Sequence, residues 1–148
     1  MVMTAAKGRS SRLRVVEVMT REPLTVTATE TIGEADDLMS QNKILQLPVV
    51  KGKELVGIIT DRDIRSFLSG SLLASPDQRE MALKTRIREI MTSDPITVSP
   101  DDDLEEVVEL LIEEKVGGIP VIDETEGLVG IVTYVDVLRC FLNQLQEE

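Results

Sequence analysis

Histidine is missing from the chain, and so is tryptophan; aromatic residues make up 2% of the sequence. Without histidine, the commonest general base and the commonest transition-metal ligand are both absent, which excludes most catalytic triads and zinc sites. Catalysis is therefore a minority reading. Only Phe67, Phe141 and Tyr134 are available to stack on bases, and the formal net charge of −11 repels a nucleic-acid backbone. Nucleic acid is not an expected main partner. The single cysteine, Cys140, forms no internal disulfide and no metal-ligand set. Its neighbours Val137, Leu138 and Phe141 point to a buried structural thiol. No apolar run approaches the roughly 18 residues of a membrane span, and no signal-length apolar block follows the basic start (Lys7, Arg9, Arg12, Arg14). These absences predict a cytoplasmic protein with no membrane partner.

What is present is an ordinary globular balance of 42% hydrophobic and 29% charged residues over 148 positions. A chain of this length buries roughly two-thirds of its unfolded surface, so it needs no disulfide or metal. Most of it is an internal repeat. The stretch VEVMTREPLTV through LPVV aligns with REIMTSDPITV through IPVI, pairing Met19 with Met91, Pro23 with Pro95, Thr25 with Thr97 and Pro48 with Pro120 at an offset of 72 (91 − 19). One extra turn residue moves the offset to 73, and LVGIITDRDI then falls on LVGIVTYVDV. Gly57 so pairs with Gly130, Thr60 with Thr133 and Asp63 with Asp136. Two copies of one supersecondary unit are implied.

Each copy reads as strand, helix, strand, strand, helix, which gives an α/β (α+β) fold of two pseudo-symmetric β-α-β-β-α repeats. Short strands are expected at 24–26 and 96–98. Helix starts are expected directly behind them, at Thr27 with Glu30 and at Ser99 with Asp102, with Pro100 at the first helical position. Leu104, Val107, Val108 and Leu111 form an amphipathic stripe, echoed by Ile32, Ala35 and Met39. Two β-rich runs follow in each copy, joined by KGKE and DETEG, both of hairpin composition. One copy has too little core to stand alone, so the apolar sheet faces are expected to pack together about a pseudo-twofold axis. The division is a basic arm at 1–14, repeat 1 at 15–69, a linker helix within 70–86, repeat 2 at 87–143 and an acidic end at 144–148. The arm reads as a solvated tail. The stretch QREMALKTRI supplies the linker helix.

With VMTREPLTV, ILQLPVV and GIITDRD in one copy and IMTSDPITV, VGGIPVI and GIVTYVD in the other, the sequence resembles a tandem of cystathionine-beta-synthase (CBS) domains, a Bateman module. The resemblance covers about Val15 to Asn143. It implies a regulatory module that requires no cofactor and binds an adenosine-containing ligand (AMP, ADP, ATP or S-adenosylmethionine, occasionally NAD) in clefts between the repeats. It also implies a homodimer and an unidentified regulated protein. The nucleotide-binding positions it implies are Thr25, Gln46, Leu47, Pro48, Thr60, Arg62 and Asp63 in the first copy, and Thr97, Gly118, Ile119, Pro120, Thr133 and Asp136 in the second.

Physical chemistry supplies a reason for each. At a strand-to-helix junction, Thr-x-x-Asp sets free backbone N–H groups and the positive end of the helix dipole before an anion, and the carboxylate one turn on can accept from both ribose hydroxyls. Thr60/Asp63 and Thr133/Asp136 have that form, and it is equally the form of a helix-starting capping box. Arg62 can grip phosphate, whereas Tyr134 and Val135 stand where Asp61 and Arg62 do in the first copy. Adenine must rely on apolar walls and main-chain groups near Leu47, Pro48, Ile119 and Pro120. Gly118 opens a close approach, while Gln46 narrows the equivalent place in the first copy. Lys43 and Lys115 stand equally for solvated charges and for phosphate contacts. Asp101, Asp102 and Asp103 belong to a helix start rather than to a metal, and Met19 and Met91 are core fillers. An empty-cleft dimerisation module is the alternative function; an enzyme would have only Asp61, Asp63 and Asp136 for acid–base work. A dimer surface is expected to take up Ile32, Met39, Leu104, Val108 and Leu111.

Overall fold

The computed structural model describes residues 12–69 and 75–147. Most of the basic arm and the start of the linker therefore lie outside the described residues. The elements in chain order are α1 (Val15–Val18), β1 (Thr20–Arg21), α2 (Ile32–Asn42), β2 (Gln46–Lys51), β3 (Glu54–Thr60), α3 (Asp61–Ser69), α4 (Pro76–Ala82), a 3-10 turn at Ile87–Glu89, β4 (Thr92–Ser93), α5 (Leu104–Glu114), β5 (Gly118–Asp123), β6 (Gly127–Thr133) and α6 (Tyr134–Gln146). The chain divides into a continuous unit, Pro23–Pro95, and a split unit, Met1–Glu22 with Ile96–Glu148.

Each unit holds a three-stranded sheet whose edge strand comes from beside the other copy of the repeat. In the continuous unit the order is β2-β3-β4, and in the split unit β1-β6-β5. Thus β1, which leads into the first copy, pairs antiparallel with β6 of the second, Thr20 opposite Ile131. Likewise β4, which leads into the second copy, pairs with β3 of the first, Thr92 opposite Ile58. The strands expected at 24–26 and 96–98 are reduced to single parallel bridges, Val26 with Val49 and Val98 with Val121. Prolines 23 and 95 end the lead segments, and a residue without an N–H cannot extend a ladder. The turn residues just before them, Glu22 and Asp94, adopt left-handed backbone (φ 46° and 49°).

Both long helices start later than the sequence indicated. Thr27 and Glu30 close a turn, with the Thr27 N–H donating to Glu30 Oε1 at 2.8 Å. The cap of α2 is Thr31, in a reciprocal box with Glu34. Ser99 and Asp102 close the matching turn at 2.8 Å, and α5 begins after Asp103, whose side chain makes no capping bond and pairs with Arg12 instead, so Pro100 lies before the helix. The residues in between are engaged elsewhere: the Arg88 and Ile87 N–H groups donate to the Ala28 and Glu30 carbonyls at 3.0 and 2.8 Å, and the Val16 and Val15 N–H groups donate to the Pro100 and Asp102 carbonyls at 3.0 and 2.9 Å. The linker does hold a helix, α4, but at Pro76–Ala82 rather than over the whole of QREMALKTRI: Ser75, which accepts from the Gln78 N–H, starts it earlier, and it ends before Lys84.

The helical stripe is correct in phase but has a different destination from a dimer surface. Ile32 and Met39 pack with Leu47, Val49, Ile59, Ile64 and Ile87 in the core of the continuous unit. Leu104 and Leu111 pack with Val15, Val107, Val121 and Val132 in that of the split unit, with Val108 partly buried against them. These residues are consumed inside each unit. Of the apolar side chains left exposed, the largest group on one element is on α6: Val135, Leu138, Phe141, Leu142 and Leu145. Cys140, on the other side of α6, is only half-buried. Residues 12–14 at the end of the arm are hydrogen-bonded to the rest of the split unit, with Arg12 and Arg14 still exposed: the Leu104 N–H donates to the Leu13 carbonyl at 2.9 Å, and Arg12 pairs with Asp103 at 2.5 Å.

Candidate functional site

In the continuous unit, β3 runs directly into α3, and the junction carries the first Thr-x-x-Asp. The Thr60 N–H donates to Asp63 Oδ2 at 3.0 Å, and the Asp63 N–H donates to the Thr60 hydroxyl at 3.0 Å. Strand register sets Gln46 opposite Thr60, and the Asp61 N–H donates to the Leu45 carbonyl at 2.9 Å. The parallel bridge brings Thr25 beside Pro48, whose carbonyl accepts from the Val26 N–H at 3.1 Å. Thr25, Gln46, Pro48, Thr60 and Asp63 so gather at one end of one sheet. Arg62, exposed in the first turn of α3, has no ion-pair partner among the described residues, whereas Arg65 is engaged by both Asp36 and Asp61.

The split unit repeats the geometry. Gly118 lies opposite Thr133, the Tyr134 N–H donates to the Gly117 carbonyl at 3.1 Å, and the Val98 N–H donates to the Pro120 carbonyl at 3.1 Å, which places Thr97 alongside. Here Asp136 is nearly buried. Its Oδ2 accepts from the Thr133 N–H at 2.9 Å and from the Thr133 hydroxyl at 3.2 Å, and its Oδ1 accepts from the Thr20 hydroxyl at 3.0 Å. Both motifs are therefore capping boxes in fact, which does not remove a carboxylate oxygen left unoccupied from further use.

Leu47 and Ile119 are fully buried in the two cores, so these positions can offer a ligand only main-chain atoms. Lys43 and Lys115 terminate α2 and α5 in left-handed conformation (φ 55° at each), where a cation faces the negative end of the helix dipole. Among the acidic triple, Asp102 binds the Ser99 N–H and Asp103 binds Arg12. Met19 and Met91 pack against the cores, as their place in the repeat indicated. A cavity of about 460 Å³ in the split unit, lined by Leu13, Glu17, Arg139, Cys140 and Gln144 among others, touches one of the sequence-derived positions, Asp136.

Sequence reasoning missed Thr20. Its signal was the shared Met-Thr of Met19-Thr20 and Met91-Thr92, visible in the repeat alignment, but only the strand exchange shows that Thr20 meets the carboxylate 116 residues away.

No described helix is long and apolar enough to cross a membrane. An uncharacterized protein of Methanocaldococcus jannaschii is 33% identical over 144 residues, covering 91% of this chain; the chain spans about half (51%) of that relative's length. Among solved structures, the CBS domain pair of protein MJ0100, in complex with 5-methylthioadenosine and S-adenosyl-L-methionine, is 30% identical with a TM-score of 0.76, covering 90% of this chain and 98% of that one. The structure of CBSX2 in complex with AMP is 27% identical with a TM-score of 0.74, covering 88% and 96%. The CBS domain family matches residues 15–70 and again 87–143, the two copies found in the sequence, and the chain belongs to that family as a CBS domain pair.

Proposed function

We propose that the chain is a regulatory module that senses adenosine-containing nucleotides (AMP, ADP, ATP or S-adenosylmethionine) and passes the signal to a partner protein in the cytoplasm, without catalysing a reaction itself. The ligands bound by the two neighbours, AMP on one side and S-adenosylmethionine with 5-methylthioadenosine on the other, share adenine and ribose and little else. What carries over between such ligands is recognition of the nucleoside, with phosphate an addition. The observation that carries this reading is Asp63: a half-buried carboxylate at the start of α3 with one oxygen held by Thr60 and no donor among the described residues on the other. A ribose diol is the complementary donor pair. Thr25, Gln46 and Pro48, with main-chain atoms of Leu47, line that end of the sheet, and Thr97, Gly118, Ile119, Pro120, Thr133 and Asp136 are the counterparts in the split unit. Arg62 supplies phosphate contacts through its guanidinium, at the positive end of the α3 dipole, since the N–H groups of Asp61 and Asp63 are already taken by Leu45 and Thr60. The division of labour follows the repeats, 15–69 and 87–143, with 70–86 as linker.

The exposed apolar side of α6 supports the assembly of two chains. Val135, Leu138, Leu142 and Leu145 recur at helical spacing and are each about half exposed, a surface that a monomer does not cover. The same surface supports the alternative, a dimerisation module with no bound nucleotide.

Thermal melts with AMP, ADP, ATP and S-adenosylmethionine test the reading. A ligand at 100 times its Kd adds about 2.7 kcal/mol to the stability of the folded chain, and Asp63→Asn should weaken binding about ten- to a hundredfold by removing a charge-assisted acceptor. No shift with any of the four leaves the dimerisation module as the function.

A further inference from the structure

The two Thr-x-x-Asp boxes are equivalent in sequence and unequal in what already occupies their carboxylates. Around Asp136, three hydrogen bonds arrive from Thr133 and Thr20, and the Arg139 guanidinium stands 3.7 Å from the same Oδ1 that the Thr20 hydroxyl reaches. A carboxylate offers about four acceptor positions, so little of Asp136 remains for a diol. Around Asp63, one N–H arrives at Oδ2. The threonine at the matching place of the other lead strand, Thr92, makes no hydrogen bond to Asp63, and no other described residue donates to Oδ1. Thr20 and Thr92 lie on β1 and β4, which enter the two sheets by the same exchange, so the difference lies in the hydroxyl contact of Thr20 and not in the topology.

We propose that Thr20 is a specificity-determining residue: its hydroxyl holds the Asp136 oxygen that a ribose would need, so the chain presents one open acceptor, at Asp63, and one closed by its own lead strand. This rests on the adenosine reading above and deepens it. Thr20 itself is exposed, so its side chain can turn out of the way, and binding at Asp136 then requires exchanging a hydroxyl–carboxylate bond for the ligand's own. The loss of one hydrogen bond to a charged group weakens such a site by about ten- to a hundredfold. The consequence is graded occupancy, with the Asp63 acceptor filling at low nucleotide and the Asp136 acceptor at higher nucleotide, the latter at the expense of a bond that ties β1 to α6.

Calorimetric titration of the full chain with AMP, and separately with S-adenosylmethionine, tests this on wild type, Thr20→Val, Thr20→Ser, Asp63→Asn and Thr20→Val/Asp136→Asn. In wild type, the tight phase should be lost in Asp63→Asn. Thr20→Val should tighten a second phase about ten- to a hundredfold, Thr20→Ser should retain the wild-type titration because the hydroxyl is kept, and the double variant should lose the gained phase. A role in packing alone predicts the reverse pattern, because valine keeps the shape of threonine whereas serine loses its methyl group. If wild type binds and Thr20→Val titrates identically to it, or if the gained phase survives Asp136→Asn, the inference is overturned and the adenosine reading stands. If no variant binds either ligand, the adenosine reading falls and takes the inference with it.

Discussion

Replacing Gly130 with alanine puts the strand exchange to a direct test. Gly130 sits mid-strand in β6, where β1 crosses: a Cβ there would lie 2.6 Å from Met19 Sδ, 2.9 Å from the Thr20 carbonyl oxygen and 3.1 Å from Met19 Cγ. Methionine can give way, because its side chain is flexible. The carbonyl cannot, because it belongs to the strand paired with β6 at Thr20–Ile131 and Arg21–Gly130. The methyl group must therefore push β1 outward and unseat Met19, a core residue. Overpacking of this kind costs about 1–3 kcal/mol, and loosening the short β1 ladder raises the expected loss to about 2–3 kcal/mol. For a chain of this size that lowers Tm by roughly 4–12 °C. Two further measurements locate the effect. In a Met19→Ala background, which removes two of the three close contacts, Gly130→Ala should cost about 0.5 kcal/mol less or better. Amide exchange at Glu22, whose N–H donates to the Val129 carbonyl at 3.3 Å, should accelerate in Gly130→Ala. Gly52→Ala is the control: its Cβ meets nothing within 4 Å, so it carries only the strain of its positive φ, about 1–2 kcal/mol, and leaves Glu22 exchange unchanged. A Gly130→Ala protein melting within about 1 °C of wild type would refute the seating of β1 against β6.

Arg62→Ala should remove most of any preference for AMP over adenosine while leaving adenosine binding in place, with the larger effect at low ionic strength; a preference that survives moves phosphate recognition to Lys43, Lys115 or backbone N–H groups. Light scattering should give a mass near twice 16.4 kDa, and Leu138→Glu should return it to the monomer value with little change in far-ultraviolet circular dichroism; a monodisperse wild-type monomer at micromolar concentration contradicts the use of α6 as a dimer surface. The Asp123 carboxyl, at the end of β5, is held below its ordinary value by the Thr125 N–H first, with the Thr125 hydroxyl and the Glu126 N–H adding to it. A depressed carboxyl stabilises the folded chain above its unfolded pKa of about 3.9 and loses that contribution as pH falls through the folded value. The Tm gap between wild type and Asp123→Ala should therefore be full near pH 6 and narrow below about pH 4; a gap independent of pH contradicts the assignment.

Local chemistry was enough to place what is local. The offset pairing of the copies, the phase of the stripes at Ile32-Ala35-Met39 and Leu104-Val107-Leu111, the hairpins at Gly52 and Gly127, and the two Thr-x-x-Asp boxes all follow from residues within a few positions of each other, where spacing alone fixes geometry. The family could be identified from three strings occurring twice in order. The sequence did not show where the lead strands go. Met19-Thr20 and Met91-Thr92 carry no pattern that distinguishes pairing with their own copy from pairing with the other, because two residues are too short to show alternation and both sheets offer the same edge. Gly57 and Gly130 show in the sequence only as an aligned pair, and it is the structure that sets the carbonyls of Thr92 and Thr20 against them. The helix starts lie four residues later than expected for a related reason: Thr27-Glu30 and Ser99-Asp102 do make the hydrogen bonds of a cap, but the carbonyls of Ala28, Glu30, Pro100 and Asp102 are taken by segments distant in sequence, and the helices begin only after Thr31 and Asp103. The fate of the two carboxylates was likewise decided in three dimensions. Asp63 and Asp136 have the same local sequence form, and what separates them is the Thr20 hydroxyl, which arrives from 116 positions away because the chain closes each sheet with a strand from beside the other copy.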